Sequence, residues 1–230
     1  MSGIKEKITK AFKVDLDSEE NQNILKPSVR PFKAHQVDGV AKKIYKLIKD
    51  ANHSNDNIVL KRNEIKEAFF SPFKPQLKNA QVFLSHSHAD KNKALEVKYY
   101  LENQTKRKVF IDSLFWDYKD DVLNELAKYD DISRIEDAFT LILRESLQDV
   151  IEKCPYFVFL KSSNSVSLNQ DLSRTTYSAW IYEELNIAHS IRESRPIPMM
   201  ESIQVFHDVS PLLESLETIT LKELSHVINS

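Results

Sequence analysis

From about residue 80 onward, apolar residues fall into short unbroken runs, separated by longer stretches with helical period. Gln81-Val82-Phe83-Leu84-Ser85, Lys108-Val109-Phe110-Ile111-Asp112 and Tyr156-Phe157-Val158-Phe159-Leu160 are such runs, each bounded by polar residues, and each predicts a buried strand. Across residues 92–103, Ala94, Leu95, Val97, Tyr99, Tyr100 and Leu101 mark a helix. Strand, helix and strand with short joints make a βαβ unit, hence parallel strands. Residues 113–154 exceed the needs of one crossover: 113–118 reads as an aromatic loop, and 121–128 and 135–153 as two helices, the second ended by Pro155. A serine-rich loop, Ser162-Ser163-Asn164-Ser165, follows the third strand, and polar residues continue to Tyr177. A helix then starts at Ser178, with Ile181, Leu185, Ala188 and Ile191 at helical spacing. Pro196-Ile197-Pro198-Met199 and Glu217-Thr218-Ile219 predict fourth and fifth short strands, and 221–228 a final helix. Alternating strands and helices define an open, doubly wound α/β sheet.

The first 77 residues have a different texture and read as a helical N-terminal extension, with the main domain spanning 78–230. A short charged helix is expected at 4–12 and a mobile polar linker at 15–23, before Pro27 and Pro31 break the chain. Val37, Val40, Ala41, Ile44, Tyr45 and Ile48 mark an amphipathic helix over 34–51, its other face rich in lysine. A polar loop at 52–57 leads to a second helix near 60–70, with Ile65, Ala68 and Phe69 on one face. Acids interspersed among the lysines make that face a solvated one rather than a nucleic-acid patch.

Composition narrows the chemistry. The formal net charge of −2 leaves no electrostatic footprint for nucleic acid. The one cysteine, Cys154, excludes a disulfide framework and a thiolate metal cluster, which suits a reducing compartment. No long apolar run marks a membrane helix, and a charged N-terminus is unlike a secretory signal, so a cytoplasmic protein is expected. Glycine occurs only twice, as Gly3 and Gly39, both ahead of the strands. Walker-type loops and dinucleotide fingerprints need glycines where backbone approaches phosphate. Neither is possible here.

In open α/β sheets ligands bind beyond the carboxyl ends of the strands. The residues at those ends are Ser85-His86-Ser87, Asp112-Ser113 and Lys161-Ser162-Ser163, all polar, and with the first turns of the Ser178 helix they converge on one rim. On that helix Trp180 and Glu184 lie four residues apart, so they share a face. Helix statistics alone would make Glu184 an exposed glutamate beside a core-facing tryptophan. Cys154 reads as inert packing, His189 as core or surface, and Asp120 and Asp121 as a solvated helix start.

Together, Val82 to Ser87, Val109 to Asp112, Tyr156 to Ser165 and Ser178 to Leu185 resemble the TIR (Toll/interleukin-1 receptor) domain, particularly its bacterial members. The resemblance covers about residue 80 to the C-terminus. It implies a flavodoxin-like parallel sheet of about five strands with flanking helices. It also implies cleavage of NAD+ at the nicotinamide–ribose bond, with NAD+ as substrate and neither cofactor nor metal required. Glu184 matches the family's catalytic glutamate, four residues after tryptophan. Ser85, His86 and Ser87 would line the nucleotide pocket, Asp112 and Ser113 its loop side, with Trp116, Ser162 and Trp180 completing the substrate-binding set. The family implies self-association through TIR–TIR contacts, for which Phe115, Trp116 and Tyr118 are candidate exposed aromatics. It further implies a role in antiphage defence or signalling, by NAD+ depletion or a cyclic ADP-ribose messenger sensed by an effector protein. The loop after the second strand lacks the family's proline-glycine turn, residues 113–154 are enlarged, and the polar stretch 167–177 is long. Within the family the other reading is a non-catalytic adaptor. From another class, His86-Ser87-His88-Ala89-Asp90 is similar to the metal-ligand run of metallo-β-lactamases, but Lys91 stands where the next ligand belongs.

Overall fold

A computed structural model describes residues 10–25, 38–50, 52–54, 57–59, 62–70, 78–128, 133–168, 174–176, 178–193 and 207–230. In chain order its elements begin with β1 (Lys10–Asp15), α1 (Glu19–Ile24), α2 (Asp38–Lys49), β2 (Asn52–Ser54), β3 (Asn57–Val59) and α3 (Arg62–Phe70). Then come β4 (Ala80–Ser85), a 3-10 turn at His88–Asp90, α4 (Lys91–Thr105), β5 (Lys108–Ile111), α5 (Ser113–Leu126), α6 (Ser133–Lys153) and β6 (Tyr156–Lys161). The chain closes with β7 (Ser167–Leu168), β8 (Arg174–Thr176), α7 (Ala179–Glu193), β9 (His207–Asp208), α8 (Ser210–Glu214), β10 (Glu217–Thr218) and α9 (Leu221–Asn229). It divides into two compact units, Met1–Arg30 with Asn79–Ser113 and Leu147–Ser230, and Pro31–Lys78 with Leu114–Ser146.

The first unit is built on a parallel sheet in the order β10-β1-β6-β4-β5. The three central apolar runs form strands as their patterns require, and Val82, Phe83, Leu84, Phe157, Val158, Phe159 and Leu160 are fully buried. Phe110, Phe83 and Phe157 stand in register across β5, β4 and β6, with ring centroids 5.9 and 5.8 Å apart. Such ladders add on the order of 1 kcal/mol per pair beyond area burial. Two residues further along, on the same face, come Asp112 and Ser85. Helix α4 packs beside β5 through Ala94, Val97 and Leu101 and ends on Lys106, whose φ of 57° closes the last turn.

The strand next to β6 is not where the sequence pattern placed it. The expected 4–12 helix gives way to β1, which lies between β6 and β10 and pairs along its whole length, Lys10↔Tyr156 to Asp15↔Lys161. Residues 4–9, and the expected strand at 196–199, lie outside the described residues. Phe12, Val14 and Leu16 alternate with Lys13 and Asp15, and those three apolar side chains are sealed from solvent. That is a strand's period of two rather than a helix's. The sheet therefore draws on the expected N-terminal extension, and the boundary after residue 77 does not separate extension from sheet. Nor is 15–23 a free linker. Ser18 caps α1, and the Asn21 amide donates to the Asp15 carbonyl at 2.8 Å while its oxygen accepts from the Leu221 N–H at 2.9 Å. Glu217–Thr218 pairs with β1 as the edge strand, close to the expected fifth strand. The polar stretch after β6 forms a small antiparallel sheet, β7-β8-β9.

In the second unit α2 and α3 pack together, with Ala41, Ile44, Ile65, Ala68 and Phe69 buried, as the helical periods of both segments require. Two expectations fail here. The polar loop at 52–57 belongs to a β-hairpin, Asn52↔Val59 to Ser54↔Asn57. The aromatic loop at 113–118 is the start of α5, because Tyr118, Val122 and Leu126 repeat every four residues and all three are buried. Tyr118 is thus a core residue rather than an exposed one, its ring edge-on to Phe69 at 5.0 Å. Among the described residues no helix is long and apolar enough to cross a membrane.

Candidate functional site

Sequence places Glu184 on a helix, and the local capping is as read. The Ser178 hydroxyl accepts from the Ile181 N–H at 3.3 Å, and the Tyr182 N–H bonds the Ser178 carbonyl at 3.1 Å. Ile181, Leu185 and Ala188, the stripe read from the sequence, are buried. The burial extends further than a single stripe, for Glu183, Glu184, Asn186, Ile187 and Ser190 are also buried. Glu184 has no exposed surface, and Trp180, one turn earlier, is half-buried. A glutamate in that position is rare unless something compensates its charge.

The strand ends supply its neighbours. Ser85 closes β4 with its hydroxyl buried, His86 follows with its ring sealed, and Asp112 and Ser113 follow β5, both buried. His86 Nδ1 lies 2.6 Å from Asp112 Oδ1. The contact is close but bent, so it supplies charge more than a linear hydrogen bond. Burial pushes the imidazole towards its neutral form, yet the charge of Asp112, the hydrogen bonding of the ring to that carboxylate and the charge of Asp90 outweigh burial and raise the ring's affinity for a proton. Glu184 is raised well above the ordinary glutamate value, first by burial, then by the charge of Asp112, with Glu183 adding in the same sense and Ser85 opposing. Ser85 and Asp112 thus reach Glu184 closely enough to act on its proton. Even so, among the described residues neither Glu184 oxygen receives a donor with hydrogen-bond geometry. Ser85 Oγ, Ser113 Oγ and His86 Nε2 are likewise buried without such a partner.

Of the sequence-predicted residues, then, Ser85, His86, Asp112 and Ser113 gather at the ends of β4 and β5, and Glu184 meets Ser85 and Asp112. Ser87 is half-buried and starts the 3-10 turn. Ser162 is buried but used locally. Its hydroxyl donates to Asp90 and accepts from the N–H groups of Asn164 and Ser165 at 3.1 and 3.2 Å. Trp116 falls within α5, and its side chain lies outside the described set. Two residues of the site were not singled out from sequence. Asp90, which entered only as a metal-ligand candidate, is buried, ties the serine loop through Ser162 and Asn164, and acts on His86. Glu183 is buried beside Glu184 although helix geometry turns it about 100° away. The sequence signal for Asp90 was its place at the head of α4. No local signal marks Glu183. His88 is exposed, and among the described residues no group of three or more His, Cys, Asp or Glu gathers as a metal site.

Fold and site together define an open parallel α/β domain with a buried, acidic cluster at the carboxyl ends of its strands, in which the Glu184 oxygens receive no directed donor among the described residues. No protein-family model, no curated protein and no solved structure matches the chain.

Proposed function

We propose that the chain is a TIR-type enzyme that cleaves the nicotinamide–ribose bond of NAD+, with Glu184 as its catalytic carboxylate. One observation carries the reading: Glu184 is sealed from solvent with both oxygens lacking a directed donor, at the strand ends where α/β folds take their ligands. A buried group left without partners calls for an explanation, and a ligand that brings positive charge or hydroxyl donors is one. NAD+ offers both. Its nicotinamide ring is cationic, and as the glycosidic bond lengthens positive charge moves to the ribose ring, where a fixed carboxylate in a water-poor site stabilises it. The bonding pair leaves with nicotinamide, which departs neutral. Water captures C1′ to give ADP-ribose, or a hydroxyl or ring nitrogen of the same molecule captures it to give a cyclic product. Burial favours a protonated Glu184, and arrival of the cationic ring favours loss of that proton. Ser85, Ser113 and His86 line the same place with hydroxyls and a ring nitrogen suited to a ribose or a carboxamide. The scarcity of glycine agrees with a nucleotide held by side chains.

The buried Glu184 carboxyl and the Ser85 and Ser113 hydroxyls, which receive or find no directed partner among the described residues, weigh against a purely adaptor role, which gives them no ligand to meet. We further propose that the enzyme acts in the cytoplasm as a self-associating TIR assembly in antiphage defence or signalling, its product consumed within the pathway or sensed by an effector. Incubating the purified chain with NAD+ and separating products by chromatography tests the reading. Nicotinamide with linear or cyclic ADP-ribose is expected, at a specific activity that falls on dilution. NAD+ left intact at every protein concentration would overturn the enzymatic reading.

A further inference from the structure

We infer that His86 is a positioning residue: its sealed ring, 2.6 Å from Asp112, engages one of the site's two carboxylates and leaves Glu184 to meet the ligand. The inference rests on the reading of Glu184 given above and assigns the division of labour within that site.

Asp112 and Glu184 act on each other where neither has appreciable solvent. Two carboxylates so close cannot both stay charged without a counter-ion. Asp112 has one in the imidazole of His86. The groups facing that ring are Asp112 from the end of β5, Asp90 from the turn after β4, and Lys91 at the head of α4. Those facing Glu184 are Asp112 and Ser85 at the strand ends, with Glu183 beside it on α7. The imidazole thus stands against Asp112, and among the described residues the groups that act most on Glu184 include no cation. Two like carboxyl groups in unlike surroundings take unlike roles. The ring of His86 stands against Asp112, whereas burial and the charge of Asp112 favour the protonated form of Glu184, which yields its proton to incoming positive charge. The frame around the ring is fixed on both sides. His86 follows the last residue of β4, and Asp90 is held by Ser162 and by Asn164, the latter at 2.8 Å.

The direction with pH follows. While His86 is charged, Asp112 is compensated and Glu184 ionises more easily. As the pH rises through the raised value of His86, the ring loses its charge, the charge of Asp112 bears more strongly on Glu184, and turnover falls. A merely structural histidine would give neither this alkaline limb nor coupling to Asp112.

Two arms test it on the full chain. In the first, 15N-histidine NMR follows the imidazole nitrogens against pH, with the His86 signal assigned by its loss in His86→Gln. The ring should titrate above free histidine in the wild type and at a lower pH in Asp112→Asn. A ring that titrates at or below the free value in the wild type overturns the inference, whether or not any variant folds. In the second arm, His86→Gln should lower kcat for NAD+ on the order of tenfold to a hundredfold, change KM little and lose the alkaline limb. Adding Asp112→Asn to His86→Gln should cost little more, because the two residues act as one unit. Losses that multiply, or an unchanged kcat and pH profile in a folded His86→Gln, overturn it. If the wild type does not turn over NAD+ at all, the enzymatic reading falls, and the NMR arm decides the pair by itself.

Discussion

Burial of Glu184 makes its contribution to stability depend on pH. Its folded value is raised above the ordinary 4.5, first by burial and then by Asp112. The stability that the protonated carboxyl supplies is complete below that ordinary value and is lost as the pH rises towards the raised one. Glu184→Gln has no charge to bury, so its unfolding midpoint should exceed that of the wild type at neutral pH, and the gap should close as the pH falls below 4.5. Thermal melts across pH check this, and a gap independent of pH would contradict it. Burial acts on Cys154 in the same sense: with its thiol pushed up to about 12 by desolvation, it should resist thiol reagents until the chain unfolds. Labelling of native protein as fast as in denaturant would contradict that. At this scale the placing of Trp180 and Glu184 one turn apart on a helix was legible, because i and i+4 share a helix face. The burial of Glu183 was not, since face arithmetic assumes one covered side and α7 is covered on several. The His86–Asp112 pair was legible only as two polar strand ends. Their 2.6 Å approach follows from the register of β4 with β5, which no local pattern encodes.

Among the elements, β1 has the largest consequence for how the sheet is made. Its apolar face, Phe12, Val14 and Leu16, is buried, and both its edges are paired. Phe12→Ala should therefore destabilise the sheet unit by about 3–5 kcal/mol, as for other buried aromatics cut to alanine. Chemical denaturation measures this, and a loss below about 1 kcal/mol would show that β1 is not part of the core. For the same reason protease should spare 15–23, where Ser18 and Asn21 hold the turn. Early cleavage there would contradict the docking of α1. The strands β4, β5 and β6 were legible because unbroken apolar runs have few alternatives in a sheet covered on both faces. β1 was missed because only three apolar positions alternate between charged ones, and its partner β6 lies far along the chain. In α5 the aromatic cluster hid a helical repeat. Tyr118 looked like a surface residue until its spacing to Val122 and Leu126 was extended past the expected loop, and it packs edge-on to Phe69.

For the whole molecule, the consequence of this topology is a sheet whose central strands all deliver polar residues at one end. β4 and β5 end in Ser85-His86 and Asp112-Ser113, β6 ends in the serine loop, and α7 brings Glu184 to Ser85 and Asp112. An α/β class was legible from strand–helix alternation, and a parallel sheet of five strands is found. Its assembly from both ends of the chain was not legible, because recruiting a distant strand is decided by edge pairing rather than by local pattern. The central claim is that this rim is a catalytic site working through one carboxylate. It is tested most directly by the rate of nicotinamide release from saturating NAD+, measured side by side for the wild type and Glu184→Gln, each shown to be folded by circular dichroism. The account predicts release by the wild type and a rate lower on the order of a hundredfold or more in Glu184→Gln. Equal rates in the two folded proteins would contradict it.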